Sequence, residues 1–215
     1  MHRGRFESPR ENGHYPADHA HENETETRPD PAKNILSYLH DFVFLLSGIL
    51  LVLLLLFRVV VVSGPSMRNT LIDGDCIILM NNIFYSEPKQ GDIIVAGKDS
   101  FKNGEPIIKR VIAKEGQEVD IDFQAGVVFV DGVALQEDYT LTPTNQPEGV
   151  SFPLVVDKGC VFVMGDNRNN SKDSRDPAIG LIDCREILGK AIFLAFPGVD
   201  QNTDSRDFGR IGGLS

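Results

Sequence analysis

The sequence predicts a mainly β fold preceded by one membrane-spanning helix, and two observations carry that reading. From Phe42 to Val62 the chain reads FVFLLSGILLVLLLLFRVVVV, with Arg58 as its one charge. At ~1.5 Å per residue such a helix is about 32 Å long, the thickness of a bilayer's hydrocarbon core. After Ser63 the apolar residues fall instead into short runs bounded by Gly, Pro, Asp or Asn, which is the pattern of strands and turns. No G-x-G-x-x-G or P-loop signature and no internal repeat interrupts it.

The elements follow in chain order. Met1 to about Pro31 is rich in Glu, Asn, Arg, Pro and His and nearly lacks large apolar side chains. Such a segment cannot bury enough surface to offset its ordering entropy and is expected to be disordered. A short amphipathic stretch, Ile35 to His40, completes a polar tail over residues 1–40, and the membrane helix is expected at 41–62. A cleavable signal peptide is the competing reading, but its apolar region would be shorter. The stem of Arg58 is long enough to snorkel to the headgroups. Val59–Val62 favour extended structure, so the helix is expected to stop near Arg58 and a strand to begin there. Arg28 and Lys33 before the span, against Arg68 after it, lean slightly toward a cytoplasmic N-terminus.

Strands are expected at Asp75–Met80, Asp92–Val95, Pro106–Ile112, Val119–Phe123, Val127–Val130 and Cys160–Met164. Asp131-Gly132 reads as the two-residue turn of a hairpin. Leu141–Glu148, with its Pro and Thr, reads as an exposed loop, and the polar, Gly-rich residues from Asp200 as a loosely held tail. The domain boundaries are then 63–199 for one β domain, with 116–158 as an inserted β region, and 200–215 for the tail.

Composition excludes several classes. The formal net charge is −10, whereas a nucleic-acid binder needs a basic face to displace counterions. Cys76, Cys160 and Cys184 lie far apart without a C-x-x-C pair, so neither a zinc knuckle nor a thioredoxin-type motif is available. They read more readily as small buried residues than as a disulfide. All five histidines, His2, His14, His19, His21 and His40, precede the apolar run's main body. A Ser-His-Asp triad or a His-ligated metal downstream is thereby excluded. No cofactor and no metal are expected.

Three stretches invite a chemical reading, each with a plainer alternative. Ser66 follows Gly64-Pro65, a bend that can hold a hydroxyl clear of its own backbone, or is an ordinary turn. Lys109 lies within Pro106-Ile-Ile-Lys-Arg-Val-Ile112. Burial there would disfavour its charged form and leave an amine able to accept a proton; otherwise Lys109 and Arg110 alternate and one of them snorkels to solvent. Gly165 to Arg175 is a dense polar run, either a solvated loop or a network that orients catalytic groups.

Together these pieces resemble type I signal peptidases, membrane-anchored serine proteases with a Ser/Lys dyad. The resemblance covers about Val59 to Leu194 and the preceding anchor. Ser66-Met67-x-x-Thr70-Leu71 resembles the nucleophile box, Gly91-Asp92-Ile93-Ile94-Val95 the next strand, and Ile108-Lys109-Arg110-Val111 the lysine box. Gly165-Asp166-Asn167-Arg168-x-x-Ser171-x-Asp173-Ser174-Arg175 matches the final box at every motif position, and Arg210-Ile211-Gly212 resembles the end of Gram-positive-type members.

The resemblance implies a signal-peptidase-type catalytic domain of coiled β sheets outside the cytoplasm, cutting signal peptides from exported pre-proteins at the lipid bilayer. Ser66 would be the nucleophile and Lys109 the general base. Ser171 would orient the lysine, and Asp173 and Arg175 would form a supporting ion pair. A peptide added as a strand beside Ser66 would turn alternate side chains toward a wall of Met67, Leu71 and Ile108, with Val60, Val62 and Ile77 outside the motifs, whose shallow pockets admit small residues one and three before the cut, as the family's preference also suggests. Two positions depart from the family: Asn69 stands where proline is usual, and Gly64 where some members place a serine as second oxyanion donor. A different class of function stays open: a catalytically silent anchored β domain that binds peptides by strand addition.

Overall fold

In the computed structural model of the protein, residues 31–98 and 104–214 are described. The chain divides into two units, Met1–Leu45 and Leu46–Ser215. The polar segment before Pro31, expected to be disordered, lies outside the described residues.

Helix α1 spans Pro31–Leu56. It opens on a proline, whose missing N–H costs nothing in the first turn. Residues 31–40 are therefore helical, which corrects the expectation of a disordered tail up to residue 40. Within α1, Asn34–Leu56 is long and apolar enough to cross a membrane, about 35 Å at ~1.5 Å per residue. Its large apolar side chains, from Ile35 to Leu55, are exposed, as a membrane anchor's must be. The helix stops at Leu56, close to the stop expected near Arg58, and Phe57–Val61 forms β1, which pairs with β2 (Cys76–Asn81) from Phe57↔Met80 to Val61↔Cys76. A partner strand satisfies β-branched residues better than another helical turn would. The carbonyl of Leu55, near the end of the helix, accepts from Asn81 Nδ2 at 3.2 Å.

The remaining strands are β3 (Ile93–Ala96), β4 (Ile107–Lys114), β5 (Glu118–Asp122), β6 (Val127–Val130), β7 (Val133–Ala134), β8 (Leu154–Val155), β9 (Cys160–Met164), β10 (Ile182–Asp183), β11 (Ile187–Phe196) and β12 (Gly212–Gly213). One antiparallel sheet runs β1-β2-β11-β3-β4-β9-β10, with β12 on β11, and a second runs β7-β6-β5-β8. The second sheet arises from chain inserted between β4 and β9, which are neighbours in the first. The mainly β expectation holds. So does the hairpin: Phe129 faces Ala134 across a turn in which Asp131 and Gly132 take φ of 52° and 77°, the positive values such two-residue turns require.

Two expectations fail. The loop 141–148 is not simply exposed, since Thr144 is fully buried and accepts from Arg168 Nη1 at 2.8 Å. The tail from Asp200 is tied down, because β12 pairs with β11 and Arg210 reaches the buried carboxylate of Asp75. A carboxylate without solvent needs such a partner.

One core gathers Val62, Met67, Leu71, Ile77, Leu79, Ile93, Val95, Ala191 and Leu194. Met67 and Leu71 therefore pin the segment that carries Ser66 to the sheet.

Candidate active site

β1 ends at the edge of the first sheet, and its last ladder bonds continue through Val62, whose N–H donates to Asp75 O at 2.8 Å and whose carbonyl accepts from Gly74 at 2.9 Å. The chain then turns over Ser63–Ser66 and coils once, with Leu71 N–H donating to Met67 O at 2.8 Å. Asn167 clamps the turn from outside: its N–H donates to Ser66 O at 3.0 Å and its Nδ2 to Pro65 O at 3.2 Å. Gly165 lies so close behind that a Cβ there would fall 2.4 Å from Ser66 O and 2.2 Å from Ser171 Oγ. No other residue fits.

Lys109 comes from β4, whose burial is nearly continuous. It is 5% exposed and Arg110 is 2% exposed, so neither side chain snorkels out, contrary to the plainer reading of that strand. Their amino-acid alternation sends them to different partners. Lys109 Nζ donates to Ser66 Oγ at 2.8 Å and to Ile108 O at 3.0 Å. Arg110 Nε and Nη2 hold the carboxylate of Asp166 at 2.9 and 2.8 Å, and its Nη1 donates to Gly91 O at 2.8 Å. Thr70 Oγ1 donates to the same Asp166 at 2.5 Å. Arg110 thereby ties the segment that carries Ser66, the strand that carries Lys109, and Asp166, two residues past β9, into one buried knot.

The polar run after β9 is a network and not a solvated loop. Asp173 and Arg175 are both fully buried and pair through Nε–Oδ1 and Nη2–Oδ2, each 2.8 Å. Asp173 also accepts from Gly165 N–H at 3.0 Å, and Arg175 Nη2 donates to Arg168 O at 2.6 Å. Arg168 in turn holds Glu137 through both terminal nitrogens. The hydroxyl of Ser171 is buried and has no hydrogen-bond partner among the described residues; it faces Gly165 and does not bond Lys109 in this state.

Ser66 and Lys109 open into a cleft of about 760 Å³. Val60, Val62, Met67, Val95 and Ile108 give it apolar lining, and Gln146, Glu148, Asn169, Asn170, Ser171 and Lys172 give it polar lining. Met67, Ile108, Val60 and Val62 thus line the cleft. Leu71 and Ile77 are not cleft residues: both are fully buried in the core, because the coil after Met67 turns Leu71 inward and the pleat of β2 does the same for Ile77. Gly64 N–H, weighed as a second oxyanion donor, is taken by Asp73 Oδ1 at 2.8 Å. Asn69 adopts φ of 103°, a value closed to proline, whose ring fixes φ near −65°.

Glu148, Asp166 and Glu137 were not singled out from sequence. Asp166 alone carried a signal, as a member of the final motif; Glu148 sits in a Pro-rich stretch without periodicity.

Comparison with known proteins places the chain in a family. The family model described as "Signal peptidase, peptidase S26" matches residues 35–196. The "Probable signal peptidase I-1" of Synechocystis sp. is 40% identical over 160 residues, covering 68% of this chain and 78% of that protein. "Signal peptidase I T" of Bacillus subtilis is 34% identical over 187 residues, covering 82% and 94%. A crystal structure of a signal peptidase I from Enterococcus faecalis V583 is 30% identical with a TM-score of 0.40, covering 48% of this chain and 96% of that one. The family match runs from within α1 to the end of β11 and so takes in most of the apolar helix, the serine segment, the lysine strand and the buried ion-pair network: the chain belongs to the signal peptidase family, peptidase S26.

Proposed function

We propose that the protein is a membrane-bound serine endopeptidase that removes signal peptides from exported pre-proteins, with Ser66 as nucleophile and Lys109 as general base. The observation that carries this reading is the 2.8 Å contact between Lys109 Nζ and Ser66 Oγ on the wall of the cleft. With Lys109 neutral, the proton runs along that line from Oγ to Nζ as Oγ attacks the scissile carbonyl, and the ammonium then returns it to the leaving amine. The N–H of Ser66 is the oxyanion donor of this scheme. A second donor does not come from Gly64, whose N–H is engaged.

Substrate recognition follows from the edge position of β1. An extended peptide added beside it would turn alternate side chains toward the wall made by Val60, Val62, Met67 and Ile108. Residues this bulky leave shallow pockets, so the substrate residues one and three before the cut are small and the one between them points away. Ser171, whose buried hydroxyl lacks a partner, orients the lysine once substrate excludes water. Asp173 and Arg175 hold Gly165, and through it the close approach to Ser66. The helix α1 anchors the chain with its N-terminal side cytoplasmic and the β domain outside.

The test is to incubate the purified full-length protein with a secretory precursor and sequence the product's N-terminus. A single new terminus after a small residue supports the reading; intact precursor that nonetheless binds would favour a silent peptide-binding domain.

A further inference from the structure

Glu148 is the polar group in the cleft that the scheme above leaves unused. It is half-buried, lines the same cleft as Ser66 and Lys109, and its Oε2 is buried with no hydrogen-bond partner among the described residues. A buried acceptor left unpaired costs stability, and native structures keep such groups where a ligand or water completes them.

Its position is held rather than incidental. Two backbone bonds to Arg175 flank it: Arg175 Nη1 donates to Gln146 O at 3.0 Å, and Val150 N–H donates to Arg175 O at 3.0 Å. The arginine that pairs with Asp173 therefore also presents Glu148 to the cleft. Burial, and then the charge of Asp173, push its carboxyl above the usual carboxylate range, against Arg175 and Lys172. The group is poised to gain from a donor brought by substrate.

The charge of that donor can be read from the neighbours. Lys172, which also lines the cleft, pairs with Asp176 at 2.8 Å. Glu105 adds a second carboxylate to the lining. With Lys172 shared between Asp176 and Glu148 and the general base neutral as the proposed scheme requires, Glu148 and Glu105 leave this part of the site acidic.

We propose that Glu148 is a specificity-determining residue, whose carboxyl accepts a hydrogen bond from a lysine or arginine side chain of the bound precursor near the cut. This rests on the peptidase reading. It extends that reading from small residues beside the scissile bond to a basic residue at one further position.

The experiment uses the full-length protein and a reference precursor with Ala at positions −1 and −3. Lys, Leu or Glu is placed singly at each other position from four before to three after the cut, and kcat and KM are measured. At one position Lys should exceed Leu in kcat/KM by about tenfold, chiefly through KM, with Glu below both, as a charge-assisted hydrogen bond gives. In Glu148→Gln the Lys-to-Leu ratio at that position should fall below about threefold, and in Glu148→Lys the Glu precursor should overtake the Lys precursor. Cleavage of the reference with no position favouring Lys overturns this proposal alone, as does a Lys preference that persists in both variants. Failure to cleave the reference overturns the peptidase reading and this one with it.

Discussion

Arg110 and Asp166 meet in a two-pronged ion pair at 2.9 and 2.8 Å, with side-chain exposures of 2% and 0%. Fifty-six residues apart, they join β4 to the second residue after β9, one position from Lys109 and one from Gly165. Removing one partner strands a buried charge, which typically costs about 3 to 5 kcal/mol. Asp166→Ala should therefore lower unfolding stability by that amount in urea. Arg110→Lys should restore little, since an ammonium cannot make both prongs or the bond to Gly91.

Arg210 closes a second buried carboxylate from the far end of the chain, with Nη1 and Nη2 at 3.0 and 2.6 Å from Asp75. Asp75 keeps its bonds from the N–H groups of Ile72 and Gly198, so the loss on Arg210→Ala should be smaller, about 1 to 3 kcal/mol. Thermal unfolding measures it. An unchanged melting temperature would mean that the C-terminal residues contribute nothing to the domain.

Asn69 holds φ of 103° three residues after Ser66. Asn69→Gly should be neutral or stabilising by up to about 1 kcal/mol, while Asn69→Pro, which restores the family's usual residue, should destabilise by more than that. Parallel urea titrations of the two variants check it.

Asp92 gives a pH signature. Burial by itself would raise its carboxyl, but the hydrogen bonds from Lys190, Tyr85 and the Lys89 N–H outweigh it and hold it below the usual range. A depressed carboxyl stabilises the fold fully above its unfolded pKa and loses that contribution as pH falls through the folded value. Asp92→Asn should thus cost about 1 to 3 kcal/mol at neutral pH and almost nothing near pH 2. An equal loss at both extremes would point to packing instead of charge.

The strands with clear bounding turns were legible in the sequence: β2, β3, β4, β5, β6 and β9 lie within two residues of their expected positions. β11 was not, although it is the longest strand and lies between β2 and β3. Gly189-Lys190 and two register shifts, at Ala191/Phe193 and Leu194/Phe196, break the alternation that marks a strand. Motif and chemistry coincide at Ser66, Lys109, Asp173 and Arg175, and the structure brings these residues together in pairs, Lys109 with Ser66 and Arg175 with Asp173. Leu71 lies in the core and not in the cleft, since motif membership says nothing of which way a coil turns a side chain. The links from Arg110 to Asp166 and from Arg210 to Asp75 span too much sequence for any local pattern to carry.

The central claim is that Ser66 and Lys109 act as a pair without histidine. Its most direct test is the initial rate of precursor cleavage by Lys109→Ala beside Ser66→Ala and a variant lacking all five histidines, each checked for unaltered melting. Both dyad variants should lose roughly 10³-fold or more, since each removes a proton-transfer partner or the nucleophile itself, while the histidine-free protein keeps near wild-type activity. Lys109→Ala cleaving within tenfold of wild type, or loss of cleavage in the histidine-free protein, would contradict the account.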